Sequence, residues 1–219
     1  LPLRLFEIGR LHRNELSGAL GGMFRVRQIT MDDAHIFCSN EQVQEEITGV
    51  LALMNELYTT FGFKPSFFLS TRPDKAMGSI ELWNDAEAAL ANALSANKLE
   101  YKINPKDGAF YGPKIDVNIK DALNRNWQLA TIQLDYQTPE NFDLTFEGSD
   151  GKKHRPVMIH RAIYGSFERF MGIITEHFGG NFPVWLCPVQ VAILNITESQ
   201  SEYAKQVNEE ILKNGIRSY

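Results

Sequence analysis

HRNELSGALGGMFRVRQITMDDAHIFC, residues 12–38, is the stretch whose reading decides the fold. From residue 24 onward it carries the β-branched, aromatic and alternating pattern of a strand, predicted over 24–38. Side chains alternate across a strand, so Arg25, Arg27, Ile29, Met31, Asp33, His35 and Phe37 share one face. Residues 3–13 read as a second strand. The Gly- and Ser-containing run at 14–23 reads as the loop between the two, giving a long-looped antiparallel hairpin.

Downstream, Ser39 followed by Gln42 is a capping-box signature. The helix it starts places Val43, Ile47, Val50, Leu51, Met54, Leu57 and Phe61 on one stripe. A strand at 66–71 and an Ala-rich helix at about 84–97 follow. The pattern then returns to β at 100–104, 109–120 and 126–136, with turn signals at Asp107-Gly108 and at Asn124 to Asn126. Residues 137–155 read as a polar loop. A strand at 156–161 leads into a helix at about 165–178, with Phe167, Phe170, Met171, Ile174 and Phe178 as its apolar stripe. This is an α+β arrangement, a mostly antiparallel sheet with helices packed on it. The Gly179-Gly180-Asn181-Phe182-Pro183 linker separates it from a buried-type strand at 189–196 and a helix at 199–214, the opening of an α/β domain. The predicted division is 1–182 and 183–219. Both ends read as cut: a strand pattern starts at once at Leu1, and a helix pattern ends just before Tyr219.

Composition narrows the class. Hydrophobic residues make up 43%, enough for a real core, and no run of them is long enough to span a membrane. The net charge of −5 excludes a wholly basic nucleic-acid binder, although not a local basic patch. Two cysteines, Cys38 and Cys187, are not a disulfide framework, so a reducing cytoplasm is the expected setting.

The candidate chemistry lies in three pieces. Arg13 and Glu15 sit two apart beside the loop. A guanidinium there can grip a phosphate, and a carboxylate can accept from an adenine amino group. Ile29 supplies an apolar patch for a base. The 25–37 face also reads as a solvated sheet surface with scattered charges, and His12 as a surface histidine. In Gly165-Ser166-Phe167-Glu168-Arg169, Arg169 lies opposite the apolar stripe, either at the edge of a cleft or in an ordinary surface salt bridge.

Taken together, these pieces resemble class II aminoacyl-tRNA synthetases. Arg13-Asn14-Glu15, a loop and Arg25 resemble their motif 2, and Gly165 to Arg169 their motif 3. Residues 12–38, YGPKID at 111–116 and VMIHRAIYGSFERF at 157–170 look like the threonine-specific branch. The resemblance runs over essentially the whole chain. It implies that Arg13 holds the α-phosphate of ATP, that Glu15 meets adenine, and that Arg25 and Arg169 bind the γ-phosphate end. Gln128 would contact the nucleotide, with Ile29 against the base. Catalysis would rest on Arg13, Lys114, Arg169 and magnesium. Met31, Asp33, Tyr111, Lys114, Thr131 and Gln133 would line the amino-acid pocket. His35 and His160 would be zinc ligands, with a third, a Cys, expected before Leu1. The implied partners are ATP, threonine, tRNA(Thr) and a second copy of the chain, joined through a motif 1 expected upstream. The implied fold is a synthetase core followed by the start of an anticodon-binding domain.

Zinc has a physical rationale in such a site. An apolar pocket separates threonine poorly from isosteric valine, because a hydroxyl and a methyl have nearly the same shape. A Lewis acid that takes both the amino group and the hydroxyl can discriminate. Two positions depart from the family pattern: Ile29 stands where an aromatic residue is usual, and Met31 where Gln is usual. The alternatives are a non-catalytic paralogue that binds tRNA or a protein, and a class II synthetase for another amino acid. Retention of the phosphate-gripping arginines argues against the first, and the Asp33/His35/His160 set against the second.

Overall fold

A computed structural model describes all residues, Leu1–Tyr219. Two units divide the chain, Leu1–Ile174 and Thr175–Tyr219.

The first unit is built on the predicted hairpin. Strand β1 (Leu3–His12) pairs antiparallel with β2 (Gln28–Cys38) in unbroken register from Leu3 opposite Phe37 to His12 opposite Gln28. β2 starts at Gln28, four residues later than its pattern suggested. Residues 21–25 curl back on themselves, with Arg25 bridged to Gly21, and so leave the ladder. Ser39 and Gln42 form the capping box, and after one 3-10 turn helix α1 (Val43–Thr60) follows. Its stripe is buried as expected, except that Tyr58 takes the fully buried place while Leu57 is only partly covered. The cost of burying the Tyr58 hydroxyl is offset by its hydrogen bond to the Ile163 carbonyl.

Strand β3 (Ser66–Ser70) precedes helix α2 (Ile80–Ala96), which begins four residues before its expected start because Ser79 caps it, accepting from Leu82 N–H at 3.2 Å. Strand β4 (Tyr101–Asn104) pairs in parallel with β3, the one parallel pair in an otherwise antiparallel sheet. Strand β5 (Lys114–Lys120) is shorter than predicted, since residues 109–113 form a turn. In that turn Gly112 runs against the next strand: a Cβ there would lie 1.8 Å from the Leu134 carbonyl oxygen. Strand β6 (Asn126–Asp135) completes the hairpin with β5.

The supposed loop 137–155 holds more structure than its polarity suggested. It contains a short helix α3 (Gln137–Asn141) and a two-stranded hairpin of β7 (Phe146–Glu147) and β8 (Lys153–His154). Asp135 caps α3 by accepting from the Gln137 and Thr138 N–H groups. Strand β9 (Val157–Ala162) lies between β2 and β6, and helix α4 (Phe167–His177) follows. In α4 Phe170, Ile173 and Ile174 are buried and Met171 is half exposed, so the apolar face is turned slightly from the predicted stripe. The sheet order is β1-β2-β9-β6-β5-β3-β4. One face carries Ala34, Ile36 and Cys38 into the core, as do Ile115, Val117, Ile132 and Leu134 from the central strands. The other face is left for polar side chains.

In the second unit, helix α5 (Ser201–Lys213) forms as expected after the Thr197–Gln200 capping box. Residues 189–196 do not form a regular strand. Val191 makes a single parallel bridge to Ser218, while Leu194 and Ile196 are 83% and 98% exposed. An apolar run becomes a strand only where a neighbouring backbone supplies a full ladder. Here the backbone bonds join only Gln190, Val191 and Ile193 to Arg217 and Tyr219.

Candidate active site

The uncovered sheet face collects nearly every candidate. Register places Lys114, Gln133, His160 and His35 directly opposite one another across β5, β6, β9 and β2, in one row. Met31 and Asp33 stand on the same face of β2 as His35, since alternate residues point the same way.

At one end of this face is a cavity of about 290 Å³. Arg13, Glu15, Arg25, Ile29, Met31, Gln128, Thr131, Gln133 and Arg169 all line it. The hairpin loop brings in Arg13, whose N–H donates to the Arg27 carbonyl, and Arg25. The N-terminal turn of α4 brings in Arg169. Gly165 makes that approach possible: its φ is +69°, and a Cβ would sit 2.6 Å from the Leu129 carbonyl. Glu168 then clamps α4 to β2, both of its carboxylate oxygens accepting from Thr30 N–H at 3.0 Å, with Ser166 Oγ donating at 2.8 Å. Burial works against the charge of Glu168. The hydrogen bonds from Thr30 and Ser166 overcome it and hold the carboxyl below its usual range.

Three guanidinium groups therefore meet at one cavity. Arg169 is pushed below the ordinary arginine value, first by burial and then by the positive charges of Arg25 and Arg13, with Glu15 acting in the opposite sense. Arg25 Nε lies 3.1 Å from Glu15 Oε2, which compensates one charge of the three. Converging like charges are costly unless an anion belongs among them.

Beside the cavity, buried Asp116 organises the floor. It accepts from Gln128 Nε2 at 2.6 Å, Ser70 Oγ at 2.8 Å and Thr131 Oγ1 at 3.4 Å, and Lys114 Nζ lies 2.9 Å away. The Tyr111 hydroxyl donates to Gln133 Oε1. Burial, with Asp135 and Asp33 nearby, pushes that phenol up to about 12, so it stays a neutral donor.

The two histidines stand next along the row. Their ring centroids are 4.7 Å apart, edge to face, and Tyr111 packs 5.4 Å from His160. His160 Nε2 is 2.9 Å from Asp135 Oδ2, and since a carboxylate only accepts, Nε2 carries the proton there and the ring's orientation is fixed. Burial holds the His35 imidazole toward its neutral, ligating form; Asp33 opposes this and His160 reinforces it. The donor chemistry thus suits a nitrogen-preferring cation such as zinc, with two protein ligands. No cluster of three His, Cys, Asp or Glu is present that could complete a cage. Cys38 is fully buried on the opposite face of β2, and burial first, then Glu46, pushes its thiol up to about 12.

The candidate residues thus gather on and around one sheet face. The cavity brings nine of them together, Asp33, His35, Lys114 and His160 continue along the sheet, and Tyr111 packs on His160 from the 109–113 turn. Sequence reading missed the supports: Asp116, Asp135, Glu168, Phe24 and Trp127. Asp116 lies inside the YGPKID run, the only local hint of its importance.

The tRNA synthetase class II core domain model (G, H, P, S and T) matches residues 1–178. The threonine–tRNA ligase of Syntrophomonas wolfei is 58% identical over 217 residues, covering 99% of this chain and 34% of that protein. That of Fusobacterium nucleatum is 56% identical over 219 residues, 100% of this chain and 35% of that protein. The chain therefore spans about a third of the length of the curated relatives it matches. Among solved structures, the RNA binding domain of threonyl-tRNA synthetase from Cryptosporidium parvum matches with a TM-score of 0.93 and 49% identity, over 100% of this chain and 55% of that one. Prolyl-tRNA synthetase from the same organism matches at 0.67 and 19% identity, over 100% and 40%, a likeness of fold alone.

Proposed function

Because the chain belongs to the class II tRNA synthetase core family, we propose that it is the ATP- and amino-acid-binding part of a threonine–tRNA ligase. The observation that carries this reading is the convergence of Arg13, Arg25 and Arg169 on one cavity beside the His35–His160 pair. Such a cavity selects a polyanion with a flat base attached. Arg13 takes the α-phosphate, and Arg25 and Arg169 take the γ-phosphate end with magnesium. Ile29 covers the base, Glu15 accepts from its amino group, and Gln128 contacts the nucleotide. The amino acid lies along the row of Met31, Asp33, Tyr111, Lys114, Thr131 and Gln133.

The reaction needs no protein nucleophile. The threonine carboxylate attacks the α-phosphorus, the bond to the β-phosphate oxygen breaks, and pyrophosphate leaves. Arg13, Lys114 and Arg169 hold the reactants in line and stabilise the charge that develops. Transfer to the terminal ribose of tRNA(Thr) follows. His35 and His160 would hold zinc, which would supply a Lewis acid for the amino and hydroxyl groups of threonine. A cytoplasmic setting and a homodimeric parent enzyme belong to the same proposal, as does weak activity or none for residues 1–219 alone.

The test is threonine-dependent ATP–pyrophosphate exchange by the parent enzyme, alongside ATP binding by this chain. Exchange driven equally well by valine or proline would remove the threonine assignment. Absence of ATP binding would remove the catalytic reading altogether.

A further inference from the structure

Of the three cavity arginines, Arg169 is the one held by an aromatic ring and carbonyls. Its guanidinium carbon lies 5.3 Å from the Trp127 ring. Its Nε donates to the Phe24 carbonyl at 2.8 Å, and Nη1 reaches the Gln128 carbonyl at 3.5 Å. Trp127 is itself anchored. Its indole N–H donates to Asp121 Oδ2 at 2.7 Å, and the same oxygen accepts from Arg125 Nε at 2.5 Å. Asp121 in turn binds its own hairpin turn, Oδ1 accepting from the Leu123 and Arg125 N–H groups at 2.9 Å. Phe24 lies 5.0 Å from Trp127, with the Arg125 guanidinium 5.1 Å from the Phe24 ring and 5.6 Å from that of Trp127. Gly172 of α4 leaves room for this ring: a Cβ there would come within 3.3 Å of Phe24 Cε2.

Trp127 does not line the cavity, whereas Phe24 and Arg169 do. Arg13 and Arg25 repel Arg169, and a long arginine side chain left free would turn toward solvent. A ring face attracts a guanidinium without using its N–H groups. The donors not given to Phe24 and Gln128 therefore stay available to an anion.

We infer that Trp127 is a positioning residue, whose ring, braced by that of Phe24, holds the Arg169 guanidinium aimed into the cavity before nucleotide enters. The inference rests on the reading of Arg169 as a phosphate ligand.

The experiment measures dissociation constants of the 219-residue chain for ATP, inorganic tripolyphosphate and adenosine. Trp127→Leu is expected to weaken ATP and tripolyphosphate about tenfold and to leave adenosine within about twofold. Trp127→Phe, which keeps a ring face, restores most of the loss. In the Arg169→Ala background Trp127→Leu adds nothing, because both remove the same contact. Phe24→Ala removes the ring that braces Trp127 but keeps the carbonyl that accepts from Arg169, so it gives a smaller loss of the same selectivity and serves as the readout should Trp127→Leu fail to fold. Additive losses in the double variant, or equal weakening of adenosine and tripolyphosphate, would overturn the inference. A wild-type chain that binds neither ATP nor tripolyphosphate overturns the functional reading instead, and this inference with it.

Discussion

His35 and His160 are direct cross-strand partners in β2 and β9, with ring planes at 76° and centroids 4.7 Å apart. Asp135, on β6, holds His160 from behind. Three strands from distant parts of the chain thus present two imidazoles side by side. If they are the zinc ligands proposed, His35→Ala removes the metal. Metal analysis of the parent enzyme, and cobalt-substituted absorption spectra, would then show less than about one-tenth of the wild-type content, as expected when a ligand is lost. Full zinc occupancy in the variant would assign the two rings a packing role only.

Asp135→Asn tests the supporting shell separately. The introduced amide retains shape and hydrogen bonding while losing the charge behind His160. Loss of such an outer partner typically costs about 10- to 100-fold in metal affinity. Zinc competition against a chromogenic chelator reads this directly, and unchanged affinity would contradict it.

Arg169→Ala removes a charge-assisted contact of the kind worth about 1.5–3 kcal/mol. ATP binding is expected to weaken about 10- to 100-fold, with adenosine affinity little changed. Arg169→Lys recovers only part of this, since a lysine ammonium neither stacks flat on Trp127 nor presents a planar fork. Isothermal titration with both ligands checks the split, and recovery of full affinity by lysine would refute it.

The Glu168 clamp predicts a pH signature in stability. Its carboxyl lies below its usual range in the folded chain because Thr30 N–H and Ser166 Oγ favour the charged form over the penalty of burial. A depressed folded-state value stabilises the fold above the unfolded value of about 4.3, and this stabilisation is lost as pH falls through the folded value. Glu168→Ala is expected to cost about 1–3 kcal/mol at pH 7, partly through the orphaned Thr30 N–H. Urea titrations should show the gap to wild type narrowing as pH falls below about 4.3. A gap that widens in acid would contradict the assignment.

Gly112→Ala tests the closeness of the 109–113 turn to β6. The new Cβ would meet the Leu134 carbonyl at 1.8 Å, and only backbone movement can relieve that. A loss on the order of 4 kcal/mol is expected, which is exceptional for one methyl group. Thermal unfolding decides the matter, and a small change would show that the turn has slack.

Much of this was legible in local sequence. The alternation over residues 28–38 placed Met31, Asp33 and His35 on one face, because the side-chain period of a strand is a property of the strand alone. The Ser39–Gln42 capping box and the α1 stripe are likewise local and appear as expected. Extrapolation failed where a partner was required. Residues 189–196 have the composition of a strand but make a single bridge, Val191 to Ser218, and residues 24–27 leave the ladder to close a turn.

The family resemblance, the hairpin and the identities of the charged groups along it are all written in the order of residues. How those groups meet depends on contacts between distant segments. The clearest case is Gln128. Simple alternation would put it on the face opposite Thr131, but the β5–β6 register shifts between Val117 and Asn118 and leaves Leu129 as the extra residue. That bulge turns Gln128 toward Asp116 beside Thr131, and it presents the Leu129 carbonyl to Gly165, where α4 enters with Arg169. A bulge is fixed by the strand that opposes it and the backbone that crosses it. No periodicity within residues 126–135 can encode it, because its causes lie on other segments of the chain.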